Sequence, residues 1–239
     1  QSVESLLGIP CIYLQGAAGD INPTTLVSGR EELDQWMSDF KRQLFGVIHK
    51  FKTLEQEPCC AVLQTIELEY AALPSREEVE KRIKQLQDIS QGNFLADESK
   101  EILPYLRELM HLQPGDPLDP DVTRFIAGAL VQNDKKTLNQ IEGSSKSASY
   151  PMRVTIWRIG EVVLVFMAAE VFASTGLKIK KLHSDYLILP IGYLAPLIGY
   201  LPDADSIHKG GYEVDYAWQF YGHIAPFAID SEQKAVSVI

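Results

Sequence analysis

Cysteine is scarce in this sequence, with three residues among 239. Cys59 and Cys60 are adjacent and Cys11 lies alone in an apolar stretch, so their spacing excludes both a zinc ribbon and a disulfide framework. We expect Cys11 in the core. A sparse, unpaired set fits a reducing compartment, but a large exported domain needs no disulfides either, so the cysteines leave the compartment open.

Basic residues are also in deficit. The chain has 22 Lys and Arg against 32 Asp and Glu, which gives a formal net charge of −10. Binding to a nucleic-acid backbone needs clustered cations that displace counterions, so the composition argues against a nucleic-acid partner. The densest basic group, at 178–181, follows a predicted helix, where cations suit the dipole of the helix end.

Long apolar runs and targeting signals are missing as well. The longest apolar passage, at 162–169, has only the length of a strand, so we expect no transmembrane segment in this chain. The sequence begins at Gln1 without an initiator Met or an apolar signal core, and its last residues are typical of a helix that has just begun. We therefore expect a fragment of a longer protein that lacks its N-terminal half.

The chain does contain alternating strand and helix patterns, which predict one α/β domain over residues 1–239 with a mixed sheet layered by helices. An amphipathic helix near 29–52 is expected to cover one face of the sheet. A capping box at Ser75 and Glu78 begins a helical segment around 75–141, which we expect to shield the sheet. The predicted strands lie near 9–15, 60–73, 153–159, 162–168 and 186–193, and the helices near 29–52, 75–90, 97–112, 120–141 and 171–183.

A polar segment follows the first predicted strand, with the sequence QGAAGDINP at 15–23. Its glycines allow close backbone approach or a positive φ, while Asp20 adds charge, Asn22 adds an amide and Pro23 stiffens the exit. The pattern is typical of a buried strand that delivers a polar loop to a site. The alternative is an ordinary turn in which Asp20 caps local amides.

Two later features indicate a site. Glu170 follows an apolar strand just before a predicted helix, and α/β sheets bind their ligands at such strand ends; the alternative is that its charge stabilises the first turn of that helix. A long loop region rich in Gly, Pro and Tyr then occupies 193–221. Loops of this kind are often built around a site, with aromatic packing over a sheet edge as the alternative.

Taken in order, these segments resemble the neutral, alkaline-active, non-lysosomal ceramidase family, most closely its uncharacterised bacterial branch. QGAAGDINP is similar to the family's Gly-Asp-Val-Ser-Pro segment, and Ala169-Glu170 is similar to its Gly-Glu-Phe. GYLP at 199–202 followed by GGYE at 210–213 completes the set over nearly the whole chain. The resemblance implies an exported, zinc-dependent hydrolase that cleaves a linear amide, the N-acyl bond of a small-molecule or lipid substrate similar to ceramide, by metal-activated water.

The resemblance also implies the metal ligands. The family holds one zinc ion with two histidines, a glutamate and a tyrosine, and the last two match Glu170 and Tyr212. No H-x-H or H-E-x-x-H pair occurs among the five histidines, so we expect the histidine ligands from the missing N-terminal part, with His208 and His223 as substitutes. Tyr221 is expected to donate a hydroxyl to the substrate.

The sequence departs from the family at Asn22, which stands where ceramidases carry an essential serine. Asn22 cannot accept an acyl group, so either metal-bound water attacks while the Asn22 amide binds the carbonyl or oxyanion, or catalysis is lost or altered. Asp20, Asn22 and Tyr221 are thus the candidate catalytic residues. The alternative function is a non-catalytic protein that binds a ligand or partner through the tyrosine-rich loops. A serine hydrolase is disfavoured because no G-x-S-x-G occurs.

Overall fold

The structure, a computed structural model, describes residues 2–22, 29–51, 58–94, 97–113, 115–143 and 148–239. A four-stranded mixed sheet lies at its centre, and its strands are β1 (Cys59–Glu69), β2 (Ser149–Ile159), β3 (Val162–Met167) and β5 (Leu187–Ile191). Their order is β1-β2-β3-β5; the first two neighbouring pairs are antiparallel, and β3 pairs with β5 in parallel. A separate parallel pair joins β4 (Glu170–Val171) to β6 (Tyr200–Leu201).

The hairpin of β2 and β3 confirms the prediction from sequence. Gly160 occupies its turn with a φ of 57°, a conformation that glycine adopts without a steric penalty. The apolar strand β3 lies between two neighbours, as expected for a strand that is apolar on both faces. Strand β1 lies at an edge of the sheet, and its register with β2 runs from Cys59 to Glu69 without a bulge.

The chain combines helices with a mixed sheet that contains a parallel pair, so the predicted α/β class with a mixed sheet is confirmed. Within the described residues, no helix is both long and apolar enough to cross a bilayer. The predicted loop region near the C-terminus contains short helices as well as irregular backbone. The helices are α1 (Ser2–Leu7), α2 (Arg30–Val47), α3 (Arg76–Ser90), α4 (Asp97–Leu109), α5 (Pro120–Gly143), α6 (Ala173–Ile179), α7 (Ala204–Lys209), a π-helical turn at Tyr212–Tyr216, α8 (Ala217–Phe220) and α9 (Ser231–Ser237).

The segment α3 to α5 forms its own layer with its own core. The Ser75 side chain accepts from the backbone N–H of Glu78 and the Glu78 carboxylate accepts from that of Ser75, so the predicted capping box is confirmed. Its buried apolar residues pack in a cluster separate from that of the sheet, which corrects the expectation that these helices shield the sheet. The cluster contains Leu86, Ile89, Ile102, Leu106, Leu109, Ala127, Leu130 and Val131.

Helix α2 forms where the sequence predicts it, but its predicted position over the sheet is wrong. None of its residues is buried. Leu33, Trp36 and Phe40 are exposed along its apolar stripe, and the rings of Trp36 and Phe40 stack at 6.1 Å. Amphipathic periodicity predicts that a helix forms, but it does not determine which surface the apolar stripe meets.

The predicted strand at 9–15 is also wrong. This segment lies outside every strand of the structure, and its side chains are largely exposed, with Ile12 at 87%. It approaches the sheet through one backbone hydrogen bond, from the Gly192 N–H to the Gln15 carbonyl at 3.1 Å. A ladder of such bonds defines a strand, and an apolar run in the sequence cannot supply the partner. Pro23 lies outside the described residues.

Candidate functional site

Glu170 lies at the rim of the buried sheet core. The two residues before it, Ala168 and Ala169, are fully buried, and Glu170 itself is 8% exposed. Its backbone N–H donates to the Gly199 carbonyl at 2.8 Å, and the pairing of β4 with β6 sets it opposite Tyr200. The carboxylate therefore sits where the last core strand gives way to the tyrosine-rich region.

Four phenols lie near this carboxylate. The Tyr221 hydroxyl donates a hydrogen bond to Glu170 Oε1, and Tyr193 lies close enough for the Glu170 carboxylate to raise the pKa of its phenol. The Tyr200 ring contacts the rings of Tyr221 and Tyr212 at centroid distances of 6.2 and 6.4 Å. Tyrosines from distant parts of the loop region thus converge on one acidic group.

The phenol pKa values report the electrostatics of this cluster. Burial raises the pKa of Tyr193, Tyr200, Tyr212 and Tyr221, and the Glu170 carboxylate raises all four further. The other groups that act on these phenols are the Glu213 carboxylate and neighbouring tyrosines. Each contribution disfavours a phenolate, so the four hydroxyls stay protonated at neutral pH and the cluster presents a negative potential to a cation.

The described part of the polar segment, residues 15–22, packs directly behind Glu170 through Gly19. The Gly19 N–H donates to the Val171 carbonyl at 2.9 Å. A Cβ atom on Gly19 would lie 2.5 Å from the Glu170 carbonyl oxygen, so the close approach requires glycine. The Asp20 carboxylate accepts from the N–H of Ala173, the first residue of α6, at 2.6 Å. Asp20 thus caps a helix that is distant in sequence and not the local amides of its own turn. Asn22 is exposed.

The histidines fall in different surroundings. His223 is buried, with Nδ1 2.8 Å from the Tyr70 hydroxyl and Nε2 2.6 Å from the Ile198 carbonyl oxygen. Both ring nitrogens are therefore engaged in structural hydrogen bonds. His208 is exposed on α7. His111, which the sequence placed on a helix face, instead follows α4 with a φ of 56°, and its ring lies 5.0 Å from that of Tyr212.

A groove of about 440 Å³ extends beside Tyr212 and His111, away from the carboxylate. Its walls are mostly apolar, with Asp119 as the acidic residue of its lining. Its lining suits a largely apolar ligand, and Tyr212 is the one member of the phenol cluster that lines it. The lining also includes Leu109, Met110, Leu112, Pro117, Val122, Ile126 and Phe220.

The donor set fits only part of a zinc site. Zinc in proteins usually has four ligands drawn from His, Cys and carboxylate side chains, or three of them and a water. In the part of the chain that the structure describes, no three His, Cys, Asp or Glu side chains come close enough to hold one ion. Glu170 offers a carboxylate and Tyr212 a phenol, so the described residues supply an incomplete set of ligands for one zinc ion.

Sequence reasoning singled out Glu170, Tyr212 and Tyr221, and the structure brings these three side chains to one cluster. The sequence reasoning gave Tyr193 and Tyr200 no role at the carboxylate, and it placed His111 on a helix face. The signal for Tyr200 was the GYLP segment, whose glycine has a φ of 91° with the Tyr221 ring against its Cα. We find no local signal for His111, because its neighbour Tyr212 is distant in sequence.

Comparison with solved structures finds a similarity to the neutral ceramidase from Pseudomonas aeruginosa, with 14% sequence identity and a TM-score of 0.43. The match covers 94% of this chain and 35% of that chain, so the present chain spans about a third of the length of the ceramidase. No protein-family model and no curated protein matches the chain. At this identity and TM-score, the similarity does not assign the chain to a family.

Proposed function

We propose that the protein is a zinc-dependent hydrolase of a linear amide, such as an N-acyl lipid, in which Glu170 and Tyr212 bind the metal. One observation supports this above the others: a carboxylate that is only 8% exposed lies near four phenols whose pKa values it raises. A buried carboxylate is costly unless hydrogen bonds and a counter-charge compensate it. Tyr221 supplies a hydrogen bond to Glu170, and a bound cation would supply the counter-charge.

The proposal requires further ligands, because the described residues bring no histidine to Glu170. Zinc, when bound, polarises a scissile carbonyl and lowers the pKa of its water to about 7. A dication would also reverse the effect of Glu170 on Tyr212, since a positive charge favours the phenolate. An exported location, expected from the family resemblance, belongs to the same proposal.

The chain's own residues have distinct roles in this scheme. The Tyr221 hydroxyl orients the Glu170 carboxylate through its hydrogen bond, and protonated phenols in this cluster are donors for a carbonyl oxygen that gains charge during amide cleavage. Asp20 holds the start of α6, three residues after Glu170, in place. Asn22, on the same loop, is proposed to offer its amide to the carbonyl.

A second candidate function is a non-catalytic binding protein that uses the phenols and the neighbouring groove. Two observations favour it: the ring nitrogens of His223 are both engaged, and the described part of the chain holds no complete ligand set. In this case the four hydroxyls would bind a polar head group, and Glu170 would pair with a cationic ligand.

The test compares metal content and hydrolysis in the full-length protein and two carboxylate variants. Glu170→Gln keeps the size of the side chain and removes its charge, so we expect it to lose both zinc and hydrolysis of an N-acyl amide. Glu213→Gln is the matched control, because Glu213 raises the pKa of two of these phenols, Tyr200 and Tyr212, without being a proposed ligand. Tyr221→Phe removes the hydrogen bond that orients the Glu170 carboxylate. It should retain zinc and lower kcat by about 10–100-fold, the usual effect of losing a partner that orients a metal ligand.

Two outcomes would contradict the proposal. A folded full-length protein that holds no zinc after supplementation would favour the binding protein. Zinc retained equally by the wild type and Glu170→Gln would place the metal elsewhere. Circular dichroism of each variant establishes whether it is folded, so a loss of zinc through unfolding is distinguishable from a loss of a ligand.

A further inference from the structure

One face of the central sheet is apolar and is left uncovered by the residues that the structure describes. The strand register aligns its side chains in three rows that each cross all four strands. We call this surface the open face, and its rows are Cys59, Ile159, Val162 and Leu187; Ala61, Trp157, Leu164 and Leu189; and Leu63, Thr155, Phe166 and Ile191.

The open face is exposed, although its composition is that of a core. Leu63 is 64% exposed, Leu187 57% and Trp157 43%, and of the twelve residues in the rows Ile191 alone is buried. The opposite face carries the buried residues of the main apolar cluster, among them Met152, Val154, Val165 and Met167. Sheets in α/β proteins are normally covered on both faces, so within the described ranges the open face lacks a cover.

Helix α2 carries a second uncovered apolar surface. Six of its seven large apolar residues lie on one side of the helix because of their spacing, and no residue of α2 is buried. The seventh, Phe45, lies off this side and is 50% exposed. We call this surface the α2 stripe, and it consists of Leu33, Trp36, Met37, Phe40, Leu44 and Val47. One chain thus exposes both an apolar helix stripe and an apolar sheet face.

We propose that two copies of this chain form a dimer by exchanging α2, so that each α2 stripe lies on the open face of the other copy. The length of the α2 stripe is sufficient to cross the width of the open face. The stripe spans about 21 Å along the helix axis, and four strands spaced about 4.8 Å apart make a face about 14 Å wide, so one helix crosses every strand. Helix-on-sheet packing is the usual way to cover such a face.

The area is sufficient for a stable dimer. Leu33, Trp36, Phe40 and Val47 on the stripe, and Leu63, Trp157, Leu187 and Leu189 on the open face, are each between 36% and 64% exposed. Each such side chain offers roughly 80 Å² for burial, and a two-fold exchange buries every one of them twice. The total is about 1,300 Å², within the range of about 1,200–2,000 Å² that stable complexes bury.

Exchange is favoured over other pairings of two copies because it covers both surfaces. Two α2 stripes packed together would leave both open faces in water, and two stacked open faces would leave both stripes in water. A reciprocal exchange is also an isologous contact, in which the same two surfaces meet twice and the assembly closes at two copies. Neither surface has to change its structure, since both are already exposed in one copy.

The test uses sedimentation of the full protein and of variants that damage one surface each. Phe40→Asp puts a charge in the α2 stripe, and Leu63→Asp combined with Leu187→Asp puts charges on the two outer strands of the open face. We expect the wild type to be a dimer and each variant to self-associate about 30-fold or more weakly, as for central interface residues. Ser38→Asp, on the polar side of α2, is the control and should stay dimeric.

Mixing the two damaged proteins distinguishes the exchange from other dimers. An equimolar mixture can form one intact contact, between the stripe of the double variant and the open face of Phe40→Asp, where the wild type forms two. We therefore expect the mixture to associate more strongly than either variant alone and more weakly than the wild type. A monomeric wild type, or a mixture that associates no more strongly than the variants alone, would overturn the proposal. If only Phe40→Asp still self-associates, the dimer forms by stacking two open faces. If only the double variant still self-associates, the dimer forms by pairing two α2 helices. Either result would also overturn the proposal. Leu63→Asp alone replaces the double variant if circular dichroism finds the latter unfolded.

Discussion

Gly19→Ala and Gly16→Ala form a matched pair that tests whether the polar loop packs against the backbone of Glu170. A Cβ atom at position 19 would lie 2.5 Å from the Glu170 carbonyl oxygen and 2.8 Å from its carbon. Both are backbone atoms, so loop and strand must separate by about 1 Å, and overpacking of this kind costs about 1–3 kcal/mol. The separation also weakens the bond from Gly19 to Val171, which contributes about 1 kcal/mol.

We therefore expect Gly19→Ala to lower the free energy of unfolding by about 2–4 kcal/mol, which corresponds to a fall in Tm of about 5–10 °C for a domain of this size. At Gly16 the nearest atom to a new Cβ is the Pro190 carbonyl oxygen at 3.9 Å, an ordinary contact. Gly16→Ala should therefore leave stability unchanged or raise it by about 0.4–1 kcal/mol through the unfolded chain. Urea unfolding of the two variants measures the difference, and equal effects would refute the packing argument.

Two further predictions concern buried polar groups. Arg82→Met leaves the fully buried Asp134 carboxylate without its guanidinium partner, so it should lower the free energy of unfolding, measured in urea, by about 3–5 kcal/mol. Arg42 belongs to an exposed ion pair, so Arg42→Met should lower it by about 0–1 kcal/mol. Similar losses in the two variants would contradict the prediction. Burial lowers the pKa of His223, so the unfolded chain takes up its proton first and stability should fall as the pH drops below about 6.5. His223→Gln should remove this dependence of stability on pH, whereas His208→Gln, at an exposed residue, should keep it. If His223→Gln shows the same dependence as the wild type, His223 is not its source.

Elements with local signals could be predicted from the sequence. The capping box at Ser75 and Glu78 begins α3 where expected, because both partners lie within one helical turn. Gly160 sets the hairpin of β2 and β3 for a similar reason, since the turn residue and the two strands adjoin each other. In these cases the residues that specify the structure are neighbours in the chain.

Elements that depend on a distant partner were predicted less well. The apolar run around Ile12 has the composition of a strand, yet it makes a single backbone bond to the sheet through Gln15. The periodicity of α2 predicts the helix but not what its stripe contacts. Similarly, the helices α3 to α5 pack chiefly on one another, because their apolar faces match each other and form a separate cluster.

The candidate site shows the same division. The position of Glu170 at a strand end could be inferred from the apolar run that precedes it, and Tyr212 and Tyr221 from the family resemblance. Their convergence results from the pairing of β4 with β6 and from the helical turns between Tyr212 and Tyr221, which no local pattern specified. The roles assigned to these residues, and to Asp20 and Asn22, stay predictions.

Zinc stoichiometry of the purified full-length protein, measured for the wild type and Glu170→Gln, tests the central claim most directly. The buried carboxylate near four phenols predicts one zinc ion per chain in the wild type and its loss in a variant that keeps the circular dichroism spectrum of the folded protein. A folded wild type without zinc, or a Glu170→Gln variant that holds as much zinc as the wild type, would contradict it.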